Sequence, residues 1–350
     1  MTQANGDGPR RTALVTGAAG FIGAHLVREI QSLDRCDVVA LDDLSGGFEE
    51  NLPAGTNFVE GSVTDEELVA DLFEEHGFEY VYHLGAYAAE GLSHFIRRFN
   101  YTNNLIGSVN LINQAVKHDT ECFVFTSSIA VYGDAPVPMT EEMKPDPEDP
   151  YGIAKYAVEM DLRSAEDMFG LDHVIFRPHN VYGEYQNIGD KYRNVVGIFM
   201  NQILRGEPMT VFGDGEQKRA FSYIGDIIRP IAEAPWVEEA RNRVFNVGAD
   251  RPYTVNELAE EVARAMGEPD HPVTHLEARN EVEVAYCDHE RAREVFGEPD
   301  HTSLAEGLER MADWVHEVGA RKSQEFDDIE VRKNMPPSWR EEHEEAVRSA

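Results

Sequence analysis

The stretch RTALVTGAAGFIG, Arg11–Gly23, decides the fold. Arg11–Thr16 is a short apolar run that predicts a strand, and Gly23–Leu33 has helical spacing. Between them lies G-x-x-G-x-x-G, with Gly17, Gly20 and Gly23 as the glycines and Phe21 and Ile22 between the last two. Glycines at the turn from a first strand into a first helix let the backbone approach a pyrophosphate, which then sits on the helix N-terminus. A second strand, Asp37–Leu41, is followed by Asp42, 19 residues after Gly23. A carboxylate there accepts from a ribose hydroxyl and repels a 2′-phosphate, which favours NAD over NADP. Residues 43–47 contain no arginine to receive such a phosphate.

Outward from this unit the rhythm repeats. Strands are predicted at Asn57–Glu60, Tyr80–Leu84, Glu121–Thr126 and His173–Arg177, with helices at Asp65–His76, about 93–117 and Tyr151–Phe169. Short apolar strands alternating with helices imply a doubly wound parallel sheet, a Rossmann α/β fold. After Arg177 the pattern changes. Pro178–Asn194 reads as loop, Val195–Arg205 as helix, Glu207–Arg219 as turns, and Thr254–Met266 and Ser303–Glu317 as amphipathic helices. This predicts a dinucleotide-binding domain over 11–177 and a smaller, interwoven substrate-binding lobe over 178–320 with segments returning to the sheet. A charged extension, 321–350, is expected to pack loosely or wrap the surface.

Composition bounds the function. The chain of 350 residues carries 65 Asp and Glu against 31 Lys and Arg, a formal charge of −34. That field repels phosphate backbones, so a nucleic-acid partner is not expected. Only seven of the basic residues are lysines, and the acid is spread along the chain. Uniform acid with scarce lysine fits a protein bathed in concentrated salt, where the Debye length falls to roughly 3 Å near 1 M. No apolar run reaches the roughly 18 residues of a membrane span. Met1–Arg11 has no apolar core of a secretion signal, so a cytoplasmic location is expected. Cys36, Cys122 and Cys287 are too scattered for a disulfide frame or a zinc site. His271 and His275 are four apart, but Pro269 and Pro272 argue against a helix there, and no metal is expected.

The chemistry is concentrated after the fifth strand. Tyr151-Gly-Ile-Ala-Lys155 opens a helix behind Pro150. Residues four apart share a helix face, so the Lys155 ammonium can approach the Tyr151 phenol. A nearby cation lowers a phenol from about 10 toward working pH and makes it a general base. Thr126-Ser127-Ser128 ends the fifth strand, where ligands of such sheets bind, and Ser128 can hydrogen-bond a substrate hydroxyl beside Tyr151.

Taken together, the chain resembles the extended short-chain dehydrogenase/reductase family, and within it the NAD-dependent nucleotide-sugar epimerases. The likeness runs from Thr12 to Glu317. It rests on TGAAGFIG, Asp42, HLGAYAA (His83–Ala89), NLIGS (Asn104–Ser108), TSSIAVYG (Thr126–Gly133), YGIAK, RPHNVYG (Arg177–Gly183), VFGDGEQKRAFSYIGD (Val211–Asp226) and FNVG (Phe245–Gly248). The resemblance implies a catalytic triad of Ser128, Tyr151 and Lys155, with Asn104 supporting the lysine through a water. It implies NAD lined by Phe21, Ile22, Asp42, Leu84, Ala86 and Pro178. It also implies a nucleotide diphosphate held by Asn180, Val195, Phe212, Arg219 and Arg279, and a homodimer built on the helices near 93–118 and 151–169. The arginines suit this role, since a pyrophosphate takes fork-shaped donors.

The sequence departs from the family at several points. Relatives carry Gly-Asp after the third strand, with the Asp on the adenine. Here it is Gly61-Ser62, followed by Val63, and the Ser62 hydroxyl is the remaining candidate for that contact. Arg219-Ala220-Phe221 and Gly225-Asp226 replace the usual Arg-Asp-Phe and Asp-Asp.

The positions that carry extra acids or bases in related dehydratases, decarboxylases and 3,5-epimerases are Ile129 and Ala130 here. What the resemblance then implies is 4-epimerisation of a nucleotide sugar of the UDP-glucose/UDP-galactose type through a transient 4-ketone. The alternatives are a 4-keto-sugar reductase, an epimerase of dTDP-sugars or uronates, and a silent NAD-binding protein. In related 4-epimerases a residue that sets pocket width lies three positions before the Asp or Asn that follows the pyrophosphate-binding arginine, so the resemblance implies Ala285, three before Asp288, as that gate, with Tyr286 as the residue a slipped register would bring inward.

Overall fold

Strand β1 (Thr12–Thr16) is buried along its length beyond Thr12 because it has a neighbour on either side. The protein is seen here as a computed structural model, which describes residues 10–278, 281–322, 326, 328–337 and 339. Arg279 and all of 340–350 therefore lie outside the described residues, as does Met1–Pro9.

The first half alternates as expected: α1 (Phe21–Leu33), β2 (Asp37–Asp42), β3 (Asn57–Glu60), α2 (Glu66–His76), β4 (Tyr80–His83), α3 (Glu90–Ser93), α4 (Arg97–Tyr101), α5 (Gly107–Lys117), β5 (Cys122–Thr126), α6 (Pro150–Phe169) and β6 (His173–Pro178). The second half contributes β7 (Val181–Tyr182), α7 (Val195–Leu204), β8 (Met209–Phe212), β9 (Lys218–Ala220), β10 (Ser222–Tyr223), α8 (Ile224–Glu233), β11 (Arg243–Val247), β12 (Pro252–Thr254), α9 (Val255–Ala265), β13 (Val273–Leu276), β14 (Val284–Ala285), α10 (Glu290–Phe296) and α11 (Leu304–Val318).

The main sheet runs β11-β6-β5-β4-β1-β2-β3, all parallel. Its order reverses between β1 and β4, so the crevice for a ligand opens at their carboxyl ends. Strands covered on both faces read as continuous apolar runs, and the five residues of β5 are all buried. The seventh strand, β11, pairs with β6 from Arg243↔Val174 to Val247↔Pro178 and returns the second lobe to the sheet.

Two segments differ from the sequence reading, and a third, α8, lies where no element was predicted. The helix expected over about 93–117 is broken. Residues between α3 and α4 interrupt it, and Thr102–Ile106 forms a π-helical stretch before α5. The turn-rich Glu207–Arg219 holds two short strands, β8 pairing with β13 and β9 with β12 and β14. Helix α8 forms despite Pro230 inside it. Its buried face, Ile224, Ile227, Ile228 and Ile231, repays the lost backbone bond by packing on the core.

Candidate functional site

A cavity of about 1460 Å³ opens at the carboxyl ends of the strands. Gly17, Gly20, Phe21, Ile22 and Gly23 line it from the first turn, Leu84 and Ala86 from the end of β4, and Pro178 from the end of β6. The glycines are required by close approach. Gly17 has φ +67°, and a Cβ there would lie 2.8 Å from the backbone of Gly85. A Cβ on Gly23 would lie 2.0 Å from the Gly17 carbonyl oxygen. The backbone cradle a dinucleotide pyrophosphate needs is therefore present.

Asp42 also lines the cavity and is 8% exposed. Its Oδ2 accepts from Ala19 N at 3.0 Å and its Oδ1 from Leu44 N at 2.8 Å. A carboxylate has about four acceptor positions, so capacity remains for a ribose. Burial pushes its pKa up, and the backbone donors oppose that. Ser62 and Val63 line the same end. The Ser62 hydroxyl is engaged locally: it accepts from Thr64 N at 3.2 Å and bonds Thr64 Oγ1 at 2.9 Å. It closes its own turn.

Asn104 is not part of the cavity wall. Its Oδ1 accepts from Tyr87 N at 2.8 Å, and its Nδ2 donates to Tyr87 O and to Asn100 Oδ1. It sits in the π-helical stretch and fixes the loop after β4. The neighbouring Asn100 donates to Pro150 O at 2.8 Å, at the start of the helix that carries Tyr151. Asn104 thus acts on the site through the backbone around it.

Ser128, Tyr151 and Lys155 converge on the cavity. Asp149 caps α6, accepting from Tyr151 N at 2.8 Å and Gly152 N at 3.0 Å, which fixes where the phenol starts. The Ser128 hydroxyl accepts from Ala130 N at 3.1 Å and pulls the Tyr151 phenol's pKa down. Lys155 is 2% exposed, donates to Thr126 O at 2.8 Å and lies 4.7 Å above the Phe125 ring. Burial lowers its pKa to about 7, opposed by Glu159 one turn on. The expected electrostatics need correction. Burial raises the Tyr151 phenol above its ordinary value, and Glu90 and Asp149 add to the rise. The Ser128 hydroxyl and the Arg193 charge pull it down, and Lys155 Nζ lies 5.9 Å from the Tyr151 ring. Helical spacing placed the lysine correctly but said nothing of burial or of an arginine arriving from a later loop.

His83, at the end of β4, is held neutral. Its Nδ1 meets Thr16 Oγ1 at 2.7 Å and its Nε2 meets Ser108 Oγ at 2.8 Å. Ser108 donates onward to Asn104 O, so it accepts from Nε2–H, and burial lowers the His83 pKa to about 3. Thr126 Oγ1 is buried with no hydrogen-bond partner among the described residues, and Thr126 lines the cavity.

Glu90 was missed by sequence reasoning. It opens α3 and faces the cavity, with Asp149 and Glu148 nearby. Enclosure and the Asp149 charge raise its pKa to about 7, and solvent reaching it through the open cavity tempers that shift. The signal was available: a lone acid among small residues in AYAAEGLS, just beyond the carboxyl end of β4.

Among the substrate candidates, Asn180, Val195, Phe212, Arg219 and Ala285 all line the cavity. Asn180 has φ +40° and donates to Ala220 O at 3.2 Å. Arg219 donates to the carbonyls of Lys218, Val282 and Glu283 and pairs with Glu281 at 3.3 Å. Ala285 pairs with Arg219 across β14 and β9 and is 7% exposed, whereas Tyr286 is not among the lining residues. Arg279 falls outside the described residues. Among the described residues no cluster of His, Cys, Asp or Glu could hold a metal ion, and no helix is long and apolar enough to cross a membrane.

The NAD dependent epimerase/dehydratase family matches residues 13–248. A UDP-glucose 4-epimerase of Mycolicibacterium smegmatis is 35% identical over 308 residues, covering 86% of this chain and 97% of its own. The crystal structure of a UDP-glucose 4-epimerase with UDP-glucose from Thermotoga maritima superposes with a TM-score of 0.83 at 36% identity, covering 88% of this chain and 99% of its own. A UDP-glucuronic acid 4-epimerase from Bacillus cereus, in complex with UDP-glucuronic acid and NAD, gives a TM-score of 0.81 at 26% identity, with coverage of 88% and 99%.

Proposed function

The chain belongs to the NAD dependent epimerase/dehydratase family, and from that premise we propose that it interconverts the C4 epimers of a nucleotide-diphosphate sugar of the UDP-glucose/UDP-galactose type. The observation that carries this reading is the convergence of Ser128, Tyr151 and Lys155 on one cavity, with Ala130 and Ile129 offering no proton chemistry beside them. NAD held by the Gly17–Gly23 turn, Asp42, Leu84, Ala86 and Pro178 would supply reversible hydride transfer at C4. The protein does the rest. Tyr151 removes the C4 hydroxyl proton and later returns it, Ser128 holds the oxygen as it becomes a ketone, and Lys155 holds its place against Thr126. Arg219, Asn180, Val195 and Phe212 are proposed to hold the nucleotide diphosphate, with Arg279 beside them. The gated sugar wall at Ala285 leaves room for either hexose.

Glu90 favours a second reading. A carboxyl with a pKa near 7 in the same cavity could exchange a proton at a carbon next to the 4-ketone, giving epimerisation at C3 or C5. One experiment separates the two. The purified protein is incubated with UDP- and dTDP-sugars in D₂O without added cofactor, and products are read by NMR. The 4-epimer without ring deuterium supports the first reading, and deuterium at C3 or C5 supports the second. No sugar turnover with any donor overturns both.

A homodimer in the cytoplasm completes the proposal. Ile106, Ile153 and Met160 on the α5–α6 side are 51%, 41% and 55% exposed, an apolar face that a second copy would cover.

A further inference from the structure

The chain beyond α11 does not trail away. Glu330 accepts from Arg98 N and Phe99 N, both at 2.8 Å, and so caps the N-terminus of α4. Glu330 N and Val331 N donate to Phe95 O at 2.9 and 3.1 Å. Phe326 packs on Phe99 and Tyr87, with ring centroids 4.8 and 5.4 Å apart. Met335 and Trp339 are 3% and 6% exposed and share a cluster with Ala89, Leu92 and Ile96. This strap is tied to the elements that carry the reaction centre.

Its last described residue reaches the cavity. Trp339 lines it, and its ring stands between two strips of the wall. On one side a Cβ on Gly91 would touch the ring end at 3.5 Å, and on the other the Tyr192 ring lies 5.2 Å away, edge to face. Gly91 lies on α3, whose Ser93 reaches Asp149, the cap of the helix that carries Tyr151, at 3.3 Å. The indole therefore lies on the side of the cavity where the Tyr151 helix begins.

We propose that Trp339, held by the strap that Phe326, Glu330, Val331 and Met335 anchor, forms part of the wall of the sugar subsite and selects the hexose by packing the small part of its apolar ring left open to the cavity on the C–H face of the pyranose. The proposal rests on the epimerase reading and deepens it. An aromatic wall with a few fixed polar groups is the usual construction of a small-molecule subsite. The nucleotide does not need this wall, because Arg219 and its neighbours serve the diphosphate.

The test is titration calorimetry on the NAD-loaded, full-length protein with UDP-glucose and UDP as probes. Trp339→Ala is expected to weaken UDP-glucose at least roughly tenfold, the loss of one well-packed aromatic contact, and UDP less than about twofold. Trp339→Phe should fall between the alanine variant and wild type. Glu330→Ala, which unties the strap outside the cavity, should show the same selective loss. Unchanged NAD content reports that each variant is folded. If Trp339→Ala and Glu330→Ala weaken both probes equally, or neither, the proposal is overturned while the epimerase reading stands. A wild-type protein that binds neither probe overturns the epimerase reading and this proposal with it.

Discussion

Arg177 on β6 and Glu159 on α6 face each other side-on, Nε to Oε1 at 2.9 Å and Nη2 to Oε2 at 2.5 Å, at 1% and 0% exposure. The carboxylate also accepts from Ser127, next to Ser128, at 2.6 Å. The guanidinium lies 4.7 Å from the Tyr132 ring, and its pKa is raised by Glu159 against the cost of burial. Breaking such a pair strands a charge, which costs about 3–5 kcal/mol. Arg177→Met should lose that much in urea unfolding, and adding Glu159→Gln should restore part of it. A single variant within about 1 kcal/mol of wild type would show that the pair is not holding β6 to α6.

Acid should destabilise the protein before its carboxylates titrate. His83 and His179 have pKa values lowered to about 3 by burial, against an ordinary 6.5. Between these values the unfolded chain binds protons that the folded chain refuses, so stability falls as pH drops below 6.5. Each should cost about 1.4 kcal/mol between pH 7.5 and 5.5. Glu90, raised toward 7, acts with the opposite sign, weakly because water reaches it. His83→Gln supplies a donor for Ser108 and an acceptor for Thr16, and it should remove about one histidine's share of the slope. Unfolding free energy that is flat over this window would rule the mechanism out.

Asp42 should govern cofactor choice. Asp42→Asn keeps an acceptor for Leu44 N but removes the charge that opposes a 2′-phosphate. The ratio of NADP to NAD affinity should rise at least roughly tenfold, the worth of about 1.4 kcal/mol. An unchanged ratio by calorimetry would place selectivity elsewhere.

Salt should stabilise. With a charge of −34, self-repulsion is large in dilute buffer and is screened as the Debye length falls from about 10 Å at 0.1 M to about 3 Å at 1 M. The melting temperature should climb through that range of KCl. A flat or falling curve would make the acid excess an ordinary surface trait.

The Ala285 gate predicts substrate breadth. Wild type should turn over both UDP-galactose and its 2-acetamido analogue. Ala285→Tyr should penalise the acetamido sugar alone, by about 1–3 kcal/mol of overpacking, or roughly 5- to 150-fold in kcat/KM. Equal loss on both sugars would remove Ala285 from the gate.

What was legible in the sequence was what local chemistry dictates. The glycine turn, Asp42, the alternation through β6 and the Tyr151–Lys155 spacing all follow from short-range rules, and the structure places them around one cavity. The resemblance to the epimerase family, stated from the motifs alone, agrees with the family match over residues 13–248. What escaped were groups supplied from far along the chain. Arg193 lies 42 residues beyond Tyr151 yet acts on it, and Trp339 arrives from a segment expected to pack loosely or wrap the surface, with no contact to the cavity foreseen. The broken helix before α5 escaped because a π stretch differs from an α-helix in hydrogen-bond register, which side-chain periodicity does not report, and Asn104 in it holds Tyr87 of a distant loop.

The return of β11 to the sheet has a consequence for synthesis. Until Val247 leaves the ribosome, β6 is an uncovered edge with its backbone donors and acceptors facing water. At about 5–20 residues per second, the roughly 70 residues from β6 to the end of β11 take about 3–14 s to make. The nascent sheet spends that interval one strand short, and a fragment ending at Arg177 would stay so permanently. Such a fragment should gather into aggregates or recruit a chaperone, so the cofactor half of this enzyme is not a unit that can be borrowed on its own.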